Sequence, residues 1–265
     1  MRVIVLLAAV VVATPRGVQE DLHFLPSDRV ALRHMRSVSA VDLARGVHVR
    51  TVVGESGSFS LGDFESASAA PFHHHTREQA DVALDGVFDM TIASHVEPLS
   101  PGAGVIIPPD VAHSLKNNTG RLISVIEFHT VRRPDLVPPR PAITFPASPE
   151  PVDTPGGRSI VVPLKALSDT RDDRRAEISG ETCILAWRRI PKGATSDLNS
   201  TAVHPESFFY VLAGEAALLT GRRREPAPAG TLIVIPAGFT GPVEIQVAGA
   251  ADAALAEFSL RTQRQ

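Results

Sequence analysis

The 265-residue sequence has a single cysteine, Cys183. An intrachain disulfide, a Cys-based zinc finger and an iron–sulfur cluster are therefore excluded. It also lacks an excess of either charge: 26 Lys and Arg against 29 Asp and Glu leave a formal net charge of -3. Nucleic-acid-binding proteins carry a basic footprint, so nucleic acid is not an expected partner. Aromatic residues are few at 5%, with one Trp and one Tyr. A membrane span is missing from the chain's start, because the apolar run Val3–Ala13 falls short of the roughly 20 residues a helix needs. Arg2, the short apolar core and the small residue Ala13 resemble a secretory signal peptide; a buried first strand is the alternative. The expectation is a leader over residues 1–18 and export, to a periplasm; a cytoplasmic location is the alternative.

Turn formers are plentiful, with 22 Pro and 19 Gly, and 43% of the residues are apolar. That composition favours a globular protein of short strands over one of long helices. Runs such as Val105–Ile107, Leu122–Phe128, Ile160–Leu164, Phe208–Leu212 and Leu232–Ile235 are apolar and bounded by turn residues, as strands are. Prolines at 134, 138, 139, 141, 146, 149, 151 and 155 mark a stiff connector over residues 134–155, since each removes a backbone donor and fixes φ. The connector separates residues 19–133 from residues 156–265. The two segments repeat: Gly86 and Gly214, Gly102 and Gly230, and Pro108 and Pro236 are each 128 residues apart. Val105-Ile106-Ile107 and Ile233-Val234-Ile235 keep the same register, which argues for an internal duplication.

The unusual abundance is histidine, ten in all, with His73, His74 and His75 side by side. Residues two apart on an extended chain share a face, so His73 and His75 project together while His74 points away. Two imidazoles on one face suit a divalent transition metal. Glu78 and Gln79 follow closely, and His113 lies beyond a Pro-Pro-Asp turn on a separate strand.

These spacings resemble the two signatures of the cupin superfamily. His73, His75, Gln79 and Gly86 follow the first motif, with Gln in the slot that the family fills with Glu. Gly102, Pro108, Asp110, His113 and Asn117 follow the second, with Asp110 in place of a glycine. With the repeat, the resemblance is to a bicupin: an all-β chain of two tandem double-stranded β-helix (jelly-roll) barrels. It implies one divalent transition metal (Fe, Mn, Ni, Cu, Co or Zn) on His73, His75, Gln79 and His113, with Glu78 the alternative to Gln79. A carboxamide ligand leaves the site one negative charge short, so the metal would be more Lewis-acidic and its affinity lower.

At the offset of 128 the second half has Thr201, Val203, Ser207 and Gly241, so one metal in the first barrel is expected. His204 and Glu206 lie near these positions but out of register with the ligands. Asp81, two residues past Gln79, and Glu127 are the candidate general acid–base residues. A salt-bridged barrel residue is the plainer reading for Asp81. For Glu127 and His129, it is the end of an edge strand. Phe59, Phe64, Phe72 and Phe88 line either a pocket or a core, and Arg222–Arg224 form a charged hairpin tip.

Cupins implied by this resemblance act on small organic substrates as dioxygenases, decarboxylases, isomerases or lyases. The stretch from His73 to Ile92 also resembles bicupin isomerases of the bacilysin-biosynthesis type. Dioxygenase-type oxidoreductase chemistry is the first expectation. A non-catalytic small-molecule-binding cupin or a metal-dependent isomerase, lyase or decarboxylase is the alternative; a storage role is disfavoured by the intact first ligand set. Barrels of this kind pair through sheet edges, so a homodimer and a monomer are both open.

Overall fold

The computed structural model describes residues 23–130, 161–199 and 205–261. The leader, the proline-rich connector, Thr201, Val203 and His204 lie outside these residues. Twenty strands, a six-residue helix, α1 (Leu164–Asp169), and one 3-10 turn at Met35–Ser37 make up the regular structure described. No helix among the described residues is long and apolar enough to cross a membrane.

The first barrel closes a seven-stranded sheet over a three-stranded one. The larger sheet contains β1 (His23–Phe24), β3 (Val41–Ala44), β4 (Val47–Val53), β5 (Gly57–Phe64), β6 (Gln79–Asp85), β9 (Gly104–Ile107) and β11 (Ile123–Thr130). Its order is β1-β4-β5-β11-β6-β9, with β3 on β4. The smaller sheet is β7 (Phe88–Ile92), β8 (His95–Leu99) and β10 (His113–Asn117), with β7 in the middle. The second barrel pairs β12 (Arg175–Ser179), β13 (Cys183–Ile190), β20 (Ala253–Leu260), β15 (Ser207–Ala213) and β18 (Thr231–Ile235), in that order. Opposite them are β14 (Thr195–Asp197), β19 (Val243–Val247), β16 (Glu215–Thr220) and β17 (Arg223–Pro228). The sixth strand of the larger second sheet comes from the other end of the chain: β2 (Ala31–His34) pairs with β18, Leu32 opposite Ile233.

The repeat seen in the sequence is a repeat of backbone. Gly86 and Gly214 have φ of 80° and 88°, and Gly102 and Gly230 have 78° and 90°, the left-handed region that glycine enters without strain. Asp110, in a glycine slot of the motif, also lies there with φ 60°; aspartate tolerates it better than most residues. The hairpin tip at Arg222–Arg224 lies at the turn between β16 and β17, as expected. The described part of the expected strand at 160–164 is not a strand: Val162 makes one isolated bridge to Gly104, and Leu164 begins α1.

The two large sheets pack face to face. Alternation on β6 sends Gln79, Asp81 and Ala83 into the first barrel and Ala80 and Val82 toward the second, so both faces are buried. Between the barrels, Phe59 stacks on Tyr210 at 5.4 Å, and Phe128 meets Phe208 at 5.0 Å and Phe258 at 5.3 Å. Phe59 thus faces away from the first barrel's interior and lines no pocket there. Phe64 and Phe88 pack edge to face at 5.1 Å inside it, as core. Met35, fully buried in the turn after β2, adds to the layer between the barrels. Its neighbour Arg36 donates to Asp63 on β5, which also accepts from Arg50 Nη1 at 2.5 Å and from Ser124 Oγ at 2.7 Å.

Candidate metal centre

The site is assembled by short bridges. His73 and His113 exchange backbone hydrogen bonds, N–H to O, of 3.0 and 2.8 Å. This bridge and a second one at Ala69–Lys116, not a full strand, hold the 69–75 segment beside β10. The Asp110 N–H donates to His75 O at 2.6 Å and closes the turn from the other side. The two-residue alternation holds even so: His73 Nε2 and His75 Nε2 are 3.1 Å apart, while His74 Nδ1 lies 3.7 Å from Asp110 Oδ1. The His73 ring centroid is 4.7 Å from that of His75 and 4.6 Å from that of His113. Among the described residues, His73, His75 and His113 form the one group of three or more His, Cys, Asp or Glu placed to hold a metal ion, their ligand atoms within 4.8 Å.

Hydrogen bonds set which atoms face the centre. His73 Nδ1 donates to Pro71 O at 2.6 Å, and His113 Nδ1 to Val111 O at 2.9 Å. An Nδ1–H committed to a carbonyl leaves Nε2 as a lone-pair donor, the arrangement that orients metal-binding histidines. Burial pushes the His113 imidazole down to about 4, helped by the nearby His73, and burial also lowers His73 against the pull of the Pro71 carbonyl. Both rings are therefore neutral at neutral pH. Gln79, at the start of β6, has its Oε1 3.1 Å from His113 Nε2. Its Nε2 donates to Asp81, 3.0 Å from Oδ1 and 3.1 Å from Oδ2. His113 Nε2 and Gln79 Oε1 thus meet as two acceptors. Converging acceptors on a neutral, largely buried set suit a cation, and imidazole nitrogens with one oxygen suit a divalent transition metal.

Asp81 and Glu127 face each other across β6 and β11 on the barrel's inner side. Burial pushes the Asp81 carboxyl up and the Glu127 charge adds to it, while the Gln79 amide pulls it down. β11 lies between β5 and β6, so Glu127 and His129 do not end an edge strand; alternation alone cannot tell a central strand from an edge. His129 is buried opposite Gln79, its ring 4.8 Å from that of His75 and nearly perpendicular. It is a fourth imidazole against the cluster, and its shared face with Glu127 was the available signal. Asn117, the last residue of the second motif, is structural: Nδ2 donates to the carbonyls of Phe64, Glu65 and Arg121, and Oδ1 accepts from Thr119.

Glu78 lies away from this cluster. Its carboxylate accepts from the backbone N–H groups of Glu181, Thr182 and Cys183 at 2.5, 2.7 and 3.0 Å, and from the Thr182 hydroxyl at 2.6 Å. Those residues form the β12–β13 hairpin of the other barrel. Strand alternation gives the reason, since only one of Glu78 and Gln79 can face inward.

In the second barrel, Ser207 takes the place of Gln79 at the start of its strand, and its hydroxyl donates to Pro205 O. Phe209 opposes Glu257 there as Asp81 opposes Glu127 in the first barrel. Glu257 is engaged by Arg188 at 2.5 Å and Arg175 at 3.0 Å. Cation partners come here from the protein itself.

Residues 61–127 match the Cupin domain family. No curated protein sequence matches. Among solved structures, AerE from Microcystis aeruginosa aligns with a TM-score of 0.64 at 13% identity, covering 84% of this chain and 97% of that one. A variant of oxalate decarboxylase from Bacillus subtilis aligns at 0.63 and 14% identity, covering 94% and 84%. A variant of salicylate 1,2-dioxygenase from Pseudoaminobacter salicylatoxidans aligns at 0.57 and 15% identity, covering 77% and 71%. Identities this low speak to fold. The first barrel is a cupin domain, and the chain as a whole has the two-barrel cupin architecture.

Proposed function

We propose that the first barrel holds one divalent transition metal on His73, His75, Gln79 and His113 and works as a metal-dependent enzyme on a small organic substrate, with dioxygenase-type chemistry the leading reading. The observation that carries it is the set of acceptor atoms described above: neutral imidazoles with their Nδ1 protons committed elsewhere, and a carboxamide turned oxygen-first toward His113. A metal held there would supply Lewis-acid or redox chemistry. The protein's share is to orient the ligands, to exclude water with the apolar barrel core and to hold a proton on the Asp81–Glu127 pair. Glu127, the more exposed of the two, is the group assigned to proton exchange with a substrate. Fold neighbours that include a salicylate dioxygenase and an oxalate decarboxylase support oxidative or decarboxylating chemistry equally in kind.

Elemental analysis of the purified protein, repeated on His73→Ala, tests the site. One metal per chain, lost in the variant, is the expected result. Absence of stoichiometric metal overturns the enzyme reading, and metal unaffected by His73→Ala overturns the ligand assignment. Oxygen uptake on a panel of phenolic and keto-acid substrates tests the reaction. A metal-loaded protein that takes up no oxygen points instead to isomerase, lyase or decarboxylase chemistry, or to binding without catalysis.

A further inference from the structure

Gln79 is the departure from the pattern that the chain otherwise follows, and a carboxamide raises a problem that a carboxylate does not. One of its ends is a donor that cannot ligate, so the group has to be held oxygen-first. Asp81 answers it. It shares the inner face of β6 with Gln79, is fully enclosed, and accepts the Gln79 amide hydrogen with oxygens 3.0 and 3.1 Å away. An acid or a carboxylate keeps an oxygen to accept that hydrogen, so the orientation does not depend on which form Asp81 takes. Turning the amide over would set its carbonyl oxygen against the Asp81 oxygens and its NH2 toward His113.

Glutamine and aspartate are matched as donor and acceptor: Asp81 occupies the amide end that cannot ligate and leaves the carbonyl end for a metal. In the second barrel both members are replaced together, by Ser207 and Phe209.

We infer that Asp81 is a positioning residue of the metal site, one that holds Gln79 oxygen-first. The inference rests on the metal reading above.

The test uses Co(II) as the probe, with affinity measured by chelator competition and the coordination set read from the visible absorption of bound Co(II). Asp81→Ala removes the acceptor; an affinity loss of about 10–100-fold is expected, the usual effect of removing a partner that orients a ligand. Asp81→Asn keeps an acceptor oxygen and gives a smaller loss. The decisive variant is the exchange Gln79→Glu with Asp81→Asn. There the amide placed at position 81 donates to the carboxylate placed at position 79, so the hydrogen bond is restored with its polarity reversed and an oxygen still faces the metal. The exchange variant binds Co(II) at least as tightly as the parent and tighter than Asp81→Asn or Gln79→Glu alone. Circular dichroism verifies folding; if the single variants fail to fold, the exchange variant decides. An exchange variant that folds but binds weakly overturns the inference, as does Asp81→Ala with unchanged affinity and spectrum. His73→Ala separates the two readings: Co(II) binding untouched by it removes the metal site itself, whereas binding lost by it but indifferent to residue 81 removes only the role of Asp81.

Discussion

Glu78 and Glu206 are repeat-mates 128 residues apart, and each closes its carboxylate over a hairpin of the opposite barrel. Glu78 accepts from the amides of Glu181, Thr182 and Cys183; Glu206 accepts from those of Glu55, Ser56 and Gly57 at 2.8, 2.6 and 3.1 Å. Gly54 and Gly180 open the two hairpins, and a Cβ on either would run into the glutamate seated there. The clamp is reciprocal, as the pseudo-symmetry of a duplicated chain allows.

The two clamps differ in strength. Burial pushes both carboxyls up, but the Thr182 hydroxyl and the amides of residues 181–183 outweigh it at Glu78, which ends below its ordinary value. At Glu206 the three amides do not offset burial, and the Glu55 charge adds to it, so its value ends above. Glu78→Gln is expected to cost about 2–3 kcal/mol at neutral pH, the worth of hydrogen bonds to a charged group, and Glu206→Gln less. The pH signs are opposite. The contribution of Glu78 is present above its unfolded value near 4.5 and is lost as pH falls through the lower folded value. Glu206, raised on folding, favours the folded state most at acid pH and loses that contribution as pH rises through its folded value. Urea denaturation of both variants between pH 4 and pH 7, against the parent, measures the difference.

His74 supplies the internal control for the metal site. Its ring turns toward Asp110 while its neighbours face inward. His74→Ala is expected to retain parental metal content, whereas His75→Ala and His113→Ala lose affinity by more than the ~10–100-fold of an outer partner. Equilibrium dialysis against a single metal, followed by elemental analysis, gives the comparison.

Asp63 joins the turn after β2 to the first barrel. Burial raises its carboxyl, but hydrogen bonds from Arg36 and Ser124 outweigh this and leave it below its ordinary 3.8. Asp63→Asn is expected to destabilise by about 2 kcal/mol, less than the ~3–5 of an enclosed pair, because the Arg36 side chain is 45% exposed. The loss fades as pH falls from about 3.8 through the lower folded value, where the parent carboxylate itself becomes protonated. Guanidinium unfolding at pH 3 and pH 7 checks magnitude and sign.

Phe128 touches Phe208 and Phe258 in the layer between the barrels and is fully buried. Phe128→Ala is expected to cost about 3–5 kcal/mol, the range for emptying a buried aromatic site. Single-phase unfolding retained at a lower denaturant midpoint would show that the two barrels still unfold together.

Local chemistry was legible in the sequence, and so was the duplication. His73 and His75 announce a shared face, Gly86 and Gly214 mark the same turn twice, and the register to Gly86 favours Gln79 over Glu78. Long-range pairing was not legible. Glu78 finds its partners more than a hundred residues away, and its role shows only when it is aligned with Glu206 at the repeat offset of 128 and both are seen to cap a hairpin. Phe59 has the same composition signal whether it faces a pocket or a neighbouring barrel. Glu127 and His129 lie mid-sheet because β5 and β6 flank their strand, a fact of topology that no alternation pattern contains.

The strand β2 carries a consequence for any attempt to handle the halves separately. Cleaving the chain within residues 134–155 would give two polypeptides, one holding a strand that belongs to its partner's sheet and the other presenting β18 as a bare edge. Fragments made this way would be expected to reassociate when mixed and to aggregate when kept apart. The copies share an ancestry of form, yet neither is a self-sufficient module.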